Sequence, residues 1–219
     1  MLTLSTSVYF GWATADDVYT PEHLAHCIDV LERDPNVVLV YPKTQFIDRD
    51  GRALDLEDPG WDLRWDSPQE RLRYALFAQH WVNALYGLIR AEALRKTRLI
   101  ARYQGGDYRV LSELALMGKF VEISDCVFLR RLHKGASSQN HAAAWQLAFY
   151  TGNGHGLAVP TWQRAMDDFI IIVRSDVSRS AKLSLLRSLL TRMRWQREQL
   201  YAELKVALEY PLSRTARRA

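Results

Sequence analysis

Cysteine is scarce in this chain. Two thiols in 219 residues, Cys27 and Cys126, leave no room for a disulfide framework and show no metal-ligand spacing. Cys27 falls on an apolar helix face and Cys126 in an apolar strand, which predicts buried thiols in a reducing compartment. Long hydrophobic runs are also missing, so no segment reads as a membrane span. Met1 to Ser7 lack the basic start and apolar core of a signal peptide, and the expected location is the cytoplasm. There is no internal repeat and no low-complexity segment. Excess positive charge is absent from most of the chain. Residues 1–178 carry nineteen Lys/Arg against twenty-two Asp/Glu, whereas residues 179–219 carry ten against three. A uniformly basic nucleic-acid binder is not built this way, and the basic tail lacks the stacking aromatics of a single-strand reader. No nucleic-acid partner is expected.

What is present is an ordinary globular composition, 48% hydrophobic and 25% charged, which excludes wholesale disorder. The length suits one large domain, or one domain with an appendage. Val8 to Ala15 reads as a buried strand running out into Asp16 and Asp17, with Thr20 as N-cap and Pro21 at the first position of a helix to residue 33. Leu24, Cys27, Ile28 and Leu31 give that helix its apolar face. Val37 to Tyr41 has the continuous apolar character of a strand covered on both faces. Thr44 to Asp48 is a second strand, closed by the Asp50-Gly51 turn. Residues 53–66 have no period and read as a loop.

Ser67-Pro68-Gln69-Glu70 is a capping box that opens a helix to about His80. Val82 to Arg90 reads as a strand interrupted by Gly87, and Ala91 to Thr97 as a short helix. Gly105-Gly106 then places Asp107 at the start of a helix that Gly118 ends. Val121 to Leu132 is a strand leading into Arg130-Arg131-Leu132-His133 and on to Ser138. Beyond residue 140 strand signals stop. Gly152 to Gly156 reads as a linker, and residues 161–175 and 178–210 as helices, the second broken near Arg194. Leu183, Leu186, Leu190 and Met193, then Leu200, Leu204 and Leu208, supply their apolar stripes. The alternation over the first 135 residues predicts an α/β layer arrangement around a mostly parallel sheet. Ligands of such sheets sit beyond the carboxyl ends of the strands, where Asp16, Asp17, Asp107 and His133 all fall.

Two adjacent carboxylates at a strand end suit a hard divalent cation that bridges to phosphate. A third, at a helix start after two glycines, suits proton abstraction from a hydroxyl. Each feature also has a plain structural reading. The Asp pair can be polar residues between two elements, and Asp107 an N-cap. His133 can be a surface histidine, and Arg130 and Arg131 a solvated strand end. Trp61 and Trp65 can cover a core edge as readily as a sugar ring.

Taken in order, these motifs resemble the second half of the glycosyltransferase family 2 fold, of GT-A type. Tyr9 to Asp17 is similar to the strand ending in that family's acidic metal-binding motif, with Ala15 where the first acidic residue often stands. Val40-Tyr41-Pro42 with Ile47 to Gly51 is similar to the next strand and hairpin. Asn83 to Arg90 resembles the acceptor-side strand. Gly105-Gly106-Asp107 resembles the motif of the catalytic base, with Gly in place of the usual Glu. Arg130 to Ser138 resembles the loop that closes over the diphosphate. The resemblance covers residues 8–138. It implies a partial GT-A-like domain over residues 1–140, a linker over 141–160 and a basic amphipathic helical extension over 161–219.

The resemblance further implies an inverting transfer from a nucleotide sugar to a hydroxyl of a glycan or lipid-linked acceptor. Asp107 is then the base, and Asp17 and His133 hold Mg²⁺ or Mn²⁺. Asp16, Arg130 and Arg131 contact the donor, and Asn83, Trp61 and Trp65 the acceptor. The family's nucleotide-binding half has no counterpart before Tyr9, so the chain reads as truncated relative to it. That predicts a long apolar sheet edge covered by a dimer or partner, and weak or no independent activity. A non-catalytic remnant that binds a partner through that edge is the second reading. The basic helices either pack on the α/β domain or attach to an anionic membrane surface.

Overall fold

A computed structural model of the protein describes residues 6–78, 80–133, 149–150 and 159–215. The main elements run β1 (Tyr9–Phe10), β2 (Val18–Tyr19), α1 (His23–Arg33), β3 (Val37–Ile47), α2 (Pro68–Phe77), a 3-10 turn (Asn83–Tyr86), β4 (Leu88–Arg90), α3 (Ala91–Arg95), α4 (Asp107–Met117), β5 (Lys119–Arg131), α5 (Pro160–Arg174), α6 (Arg179–Trp195) and α7 (Arg197–Thr215). The expected linker at Gly152 to Gly156 and the end of the loop running to Ser138 lie outside the described residues.

The fold is mixed α/β, with the sheet ordered β1-β4-β3-β5-β2. The two long strands, β3 and β5, pair in parallel from Val37 beside Lys119 to Ile47 beside Arg131. The three short strands join antiparallel. The sheet is therefore parallel along its centre and antiparallel at its margins. The apolar runs on either side of Pro42 form a single strand. Pro42 has no N–H for the ladder, and the register slips there: Pro42 stands beside Ile123, but Lys43 beside Val127.

Several local expectations are corrected. The opening stretch is a two-residue, half-buried edge strand with Val8 67% exposed, because β4 offers it only a short partner. The sheet ends in two-residue strands on both sides, so the long apolar edge is not found among the described residues. Thr20 does not cap α1. Its hydroxyl accepts from the Val127 N–H at 3.2 Å, and its own N–H donates to the Val127 carbonyl, which extends the pairing of β2 with β5. Asn83 to Tyr86 is a turn rather than strand. Gly87 lies flat on β3, where a Cβ would stand 2.2 Å from the Val40 carbonyl oxygen, and β4 begins only after it. Ser67 caps α2 as expected, its Oγ accepting from the Glu70 N–H at 3.3 Å.

Side chains of β3 split between two cores. Val37 and Val40 pack with Cys27, Leu31, Val121 and Cys126 under α1. Val38, Leu39 and Tyr41 face a larger cluster built from α2, α4 and the loop holding Trp61 and Leu63. Ala165, Ile171, Ile172, Leu185 and Leu189 bring α5 and α6 into that same cluster. The inward face of α6 is Ala181, Leu185, Leu189 and Arg192, while Leu183 and Leu190 are exposed. That face is rotated from the leucine stripe because it is completed by an arginine, which pairs with buried Asp168 at 2.6 Å. Both cysteines are buried, and burial pushes the Cys27 thiol up to about 12. No described helix is long and apolar enough to cross a membrane.

Candidate functional site

Topology decides what gathers at the exit of β5. β2 runs antiparallel to β5, so the residues just before β2 lie beside the last residues of β5. Asp17 Oδ1 accepts from the Arg131 N–H at 2.7 Å. Asp16 Oδ2 and His133 Nε2 are 2.7 Å apart. Arg131 secures this corner through its guanidinium: Nε donates to the Asp16 carbonyl at 3.0 Å, and Nη1 to the carbonyls of Asp48 and Arg49 at 3.0 and 2.9 Å. Four of the expected site residues thus come together, and Arg131 is engaged with backbone oxygens.

Arg130 is held by different groups. Its guanidinium lies 5.2 Å from the Trp81 ring centroid and 5.4 Å from that of Tyr86, and Nη1 donates to Asn83 Oδ1. Stacking and hydrogen bonding together give a planar cation one preferred orientation. Asn83 is 1% exposed and donates through Nδ2 to Asp58 Oδ2 at 2.7 Å. Expected at the acceptor, Asn83 instead bridges Asp58 to Arg130 inside the protein. Burial pushes the Asp58 carboxyl up, but His80, the Gly60 N–H and Asn83 more than offset it and hold it below the usual carboxylate range.

Asp107 opens α4, and α4 returns to the start of β5, so its first turn lies at the end where β5 exits. Gly106 allows the approach to this turn, since a Cβ there would meet the Ala101 carbonyl oxygen at 2.2 Å. Asp107 Oδ1 accepts from the Tyr108 N–H at 3.0 Å. Burial pushes its carboxyl up, against the opposing pull of these N–H groups, Arg164 and Arg130. The phenol of Tyr86 is pushed up by burial, pulled down by Arg130, and pushed up again by both Asp107 and Asp17. Tyr86 therefore has Asp17, Asp107 and Arg130 as electrostatic neighbours.

The two tryptophans separate. Trp61 is fully buried: its N–H donates to the Tyr41 hydroxyl at 2.5 Å, Nε1 donates to the Trp81 carbonyl at 3.0 Å, and the rings of Tyr74, His80 and Tyr108 surround it. It can influence a ligand only through those rings. Trp65 is 44% exposed and lines a shallow groove with Tyr74, Phe77 and His80. Tyr86, Trp81, Asp58, His80, Tyr108 and Arg164 were not singled out from sequence. The density of aromatics from Trp81 to Tyr86 was an available signal for two of them, whereas nothing local marked Arg164. Among the described residues, no three His, Cys, Asp or Glu side chains are placed to hold one metal ion.

No family model matches the chain, and neither does any curated protein. Among solved structures, the chain is similar to S. aureus TarS 1–349, a glycosyltransferase, with a TM-score of 0.52 at 11% identity. The likeness covers 88% of this chain and 48% of that one, so the chain spans about half the length of that structure. At this identity the likeness shows the fold: a glycosyltransferase-like α/β arrangement followed by helices.

Proposed function

We propose that the chain carries out an inverting sugar transfer of the family 2 type, its own residues meeting both the donor's diphosphate and the acceptor hydroxyl. The observation that supports this most is the gathering of Asp16, Asp17, Arg131 and His133 at the exit of β5, where Arg130 is fixed on Trp81 and Tyr86. Asp107 takes the proton of the acceptor hydroxyl, a role helped by burial that keeps its carboxyl basic. Arg130, fixed on Trp81 and Tyr86, faces the diphosphate of a nucleotide sugar. Arg131 holds Asp16 and Asp17 in place through its own N–H and guanidinium. Asp17 and His133 are the residues that would hold Mg²⁺ or Mn²⁺, an ion type that takes few protein carboxylates and completes its shell with phosphate and water. Such an ion neutralises charge on a departing diphosphate. The groove of Trp65, Tyr74, Phe77 and His80 takes the glycan or lipid-linked acceptor.

Calorimetric titration of UDP-, GDP- and dTDP-sugars with and without Mn²⁺ tests the reading. Metal-dependent binding that Asp17→Asn removes and Asp107→Asn keeps is the expected result, with transfer to an acceptor lost in both variants. No binding of any nucleotide sugar by the intact chain refutes the transferase reading and leaves the partner-binding one. The exposed face of α6 carrying Leu183 and Leu190 beside Arg187 and Arg194 is proposed as a contact for an anionic lipid surface. Co-sedimentation with phosphatidylglycerol vesicles, absent with phosphatidylcholine alone, is expected.

A further inference from the structure

We propose that Arg164 of α5 is the positioning residue for the Asp107 corner, so that the C-terminal helices are a working part of the candidate site. The inference rests on the reading of Asp107 given above. Arg164 places its guanidinium carbon 3.7 Å from the centroid of the Tyr108 ring, next to Asp107 in sequence. Tyr108 is itself fixed, its hydroxyl donating to the His80 carbonyl at 2.6 Å and its ring lying against Trp61. Arg164 is held in turn from behind. Nη2 donates to the carbonyls of Ala78 at 2.9 Å and Ala75 at 3.2 Å, in the last turn of α2, and Nε faces Asp168 at 3.9 Å. That last turn has no basic residue of its own. Arg192 adds a third contact there, donating to the Leu76 carbonyl at 2.9 Å.

A guanidinium fixed on one side by helix carbonyls and on the other by an aromatic face holds Tyr108, whose N–H donates to Asp107 Oδ1 at 3.0 Å. The charged and titratable groups near Asp107 come from several elements: Arg164 from α5, Arg130 from β5, Tyr86 from the 3-10 turn, Tyr108 from α4 and Tyr150. Arg130 belongs to the side facing the acidic corner, whereas Arg164 is anchored to the helical layer. Both arginines favour the charged form of Asp107, one from each layer. Removing Arg164 leaves Asp107 with a single cation and a less defined orientation.

The test reads Asp107 directly. In the full chain labelled with ¹³C at aspartate carboxyls, the Asp107 signal is assigned by its loss in Asp107→Asn and followed through a pH titration. Arg164→Met is expected to raise the Asp107 midpoint by about one pH unit, the low end for loss of a nearby opposite charge. Arg164→Lys is expected to restore most of it. An arginine with only a structural role lowers Tm and leaves the midpoint in place, and that result in a folded Arg164→Met overturns the proposal. Should Arg164→Met not fold, Tyr108→Leu decides: it removes the ring that seats the guanidinium and keeps the charge. A raised midpoint there supports the proposal, and an unmoved one overturns it. The titration needs no sugar transfer. A coupled Asp107 in a chain that binds no nucleotide sugar refutes the transferase reading alone.

Discussion

The two sides of the candidate site are built on opposite principles. On the acidic side, Asp16, Asp17, Arg131 and His133 sit at strand ends, part-exposed, and are tied mainly by backbone groups. On the Asp107 side, Arg164, Arg192 and Asp168 are almost withdrawn from solvent and hold one another. Water screens the first set, so each pair there contributes little and can be exchanged for a ligand at small cost. The second set has left water and depends on its partners being present. A site of this kind has one side that can rearrange around a ligand and one side that cannot.

Four substitutions test that contrast, in order of expected effect. Asp168→Ala strands Arg192 and Arg164 without their carboxylate and should cost about 3–5 kcal/mol in urea unfolding. A loss below about 1 kcal/mol breaks the comparison. Asp58→Ala removes the acceptor of Asn83 and should cost about 1–3 kcal/mol at neutral pH. Because the Asp58 carboxyl is held low in the fold, its stabilisation is present above the ordinary carboxylate range and is lost as pH falls through its depressed value. The gap between wild type and variant should therefore narrow on acidification, which unfolding at a series of pH values measures.

Asp107→Asn should have the opposite sign. A carboxyl raised by burial leaves the fold most stable below the unfolded carboxylate range and costs stability as pH rises through the raised value. The variant should exceed wild type by about 1 kcal/mol at neutral pH, the increment common when a strained functional group is removed, and match it in acid. A variant less stable than wild type at neutral pH shows that the Asp107 carboxylate is structural. Smallest is Asp16→Asn, which loosens a part-exposed pair with His133 and should change stability by at most about 1 kcal/mol. Thermal melts that show a loss equal to that of Asp168→Ala would erase the distinction.

The same division explains what could be read from the amino-acid sequence. Ser67-Pro68-Glu70, the start of α4 at Asp107 and the break between α6 and α7 at Gln196 are local signals, and the structure has each of them. The strand-to-helix alternation was also local, and it pointed to an α/β sheet. Asp16 and Asp17, read as the exit of a strand over Val8 to Ala15, instead stand before β2 and lie beside the end of β5 because β2 runs antiparallel to it. Trp61 and Asn83 misled because residue type alone does not report burial, and both are enclosed by residues distant in sequence. The inward face of α6 misled for a related reason. An arginine reads as a surface residue until its partner is known, and Asp168 lies on another helix. Thr20 looked like a cap because its competing partner, Val127, is over a hundred residues away.

The carbonyls at the end of α2 carry a consequence for assembly. Their donors, Arg164 and Arg192, are separated from them in sequence by 86 to 116 positions. During synthesis α2 emerges long before the groups that complete its last turn, and closing so long a loop is entropically costly until many contacts form together. The helical layer thus arrives last and finishes a helix that the α/β layer cannot finish alone. The end of α2 and the ring beside Asp107 both rest on Arg164, so the two layers share their stability at that point.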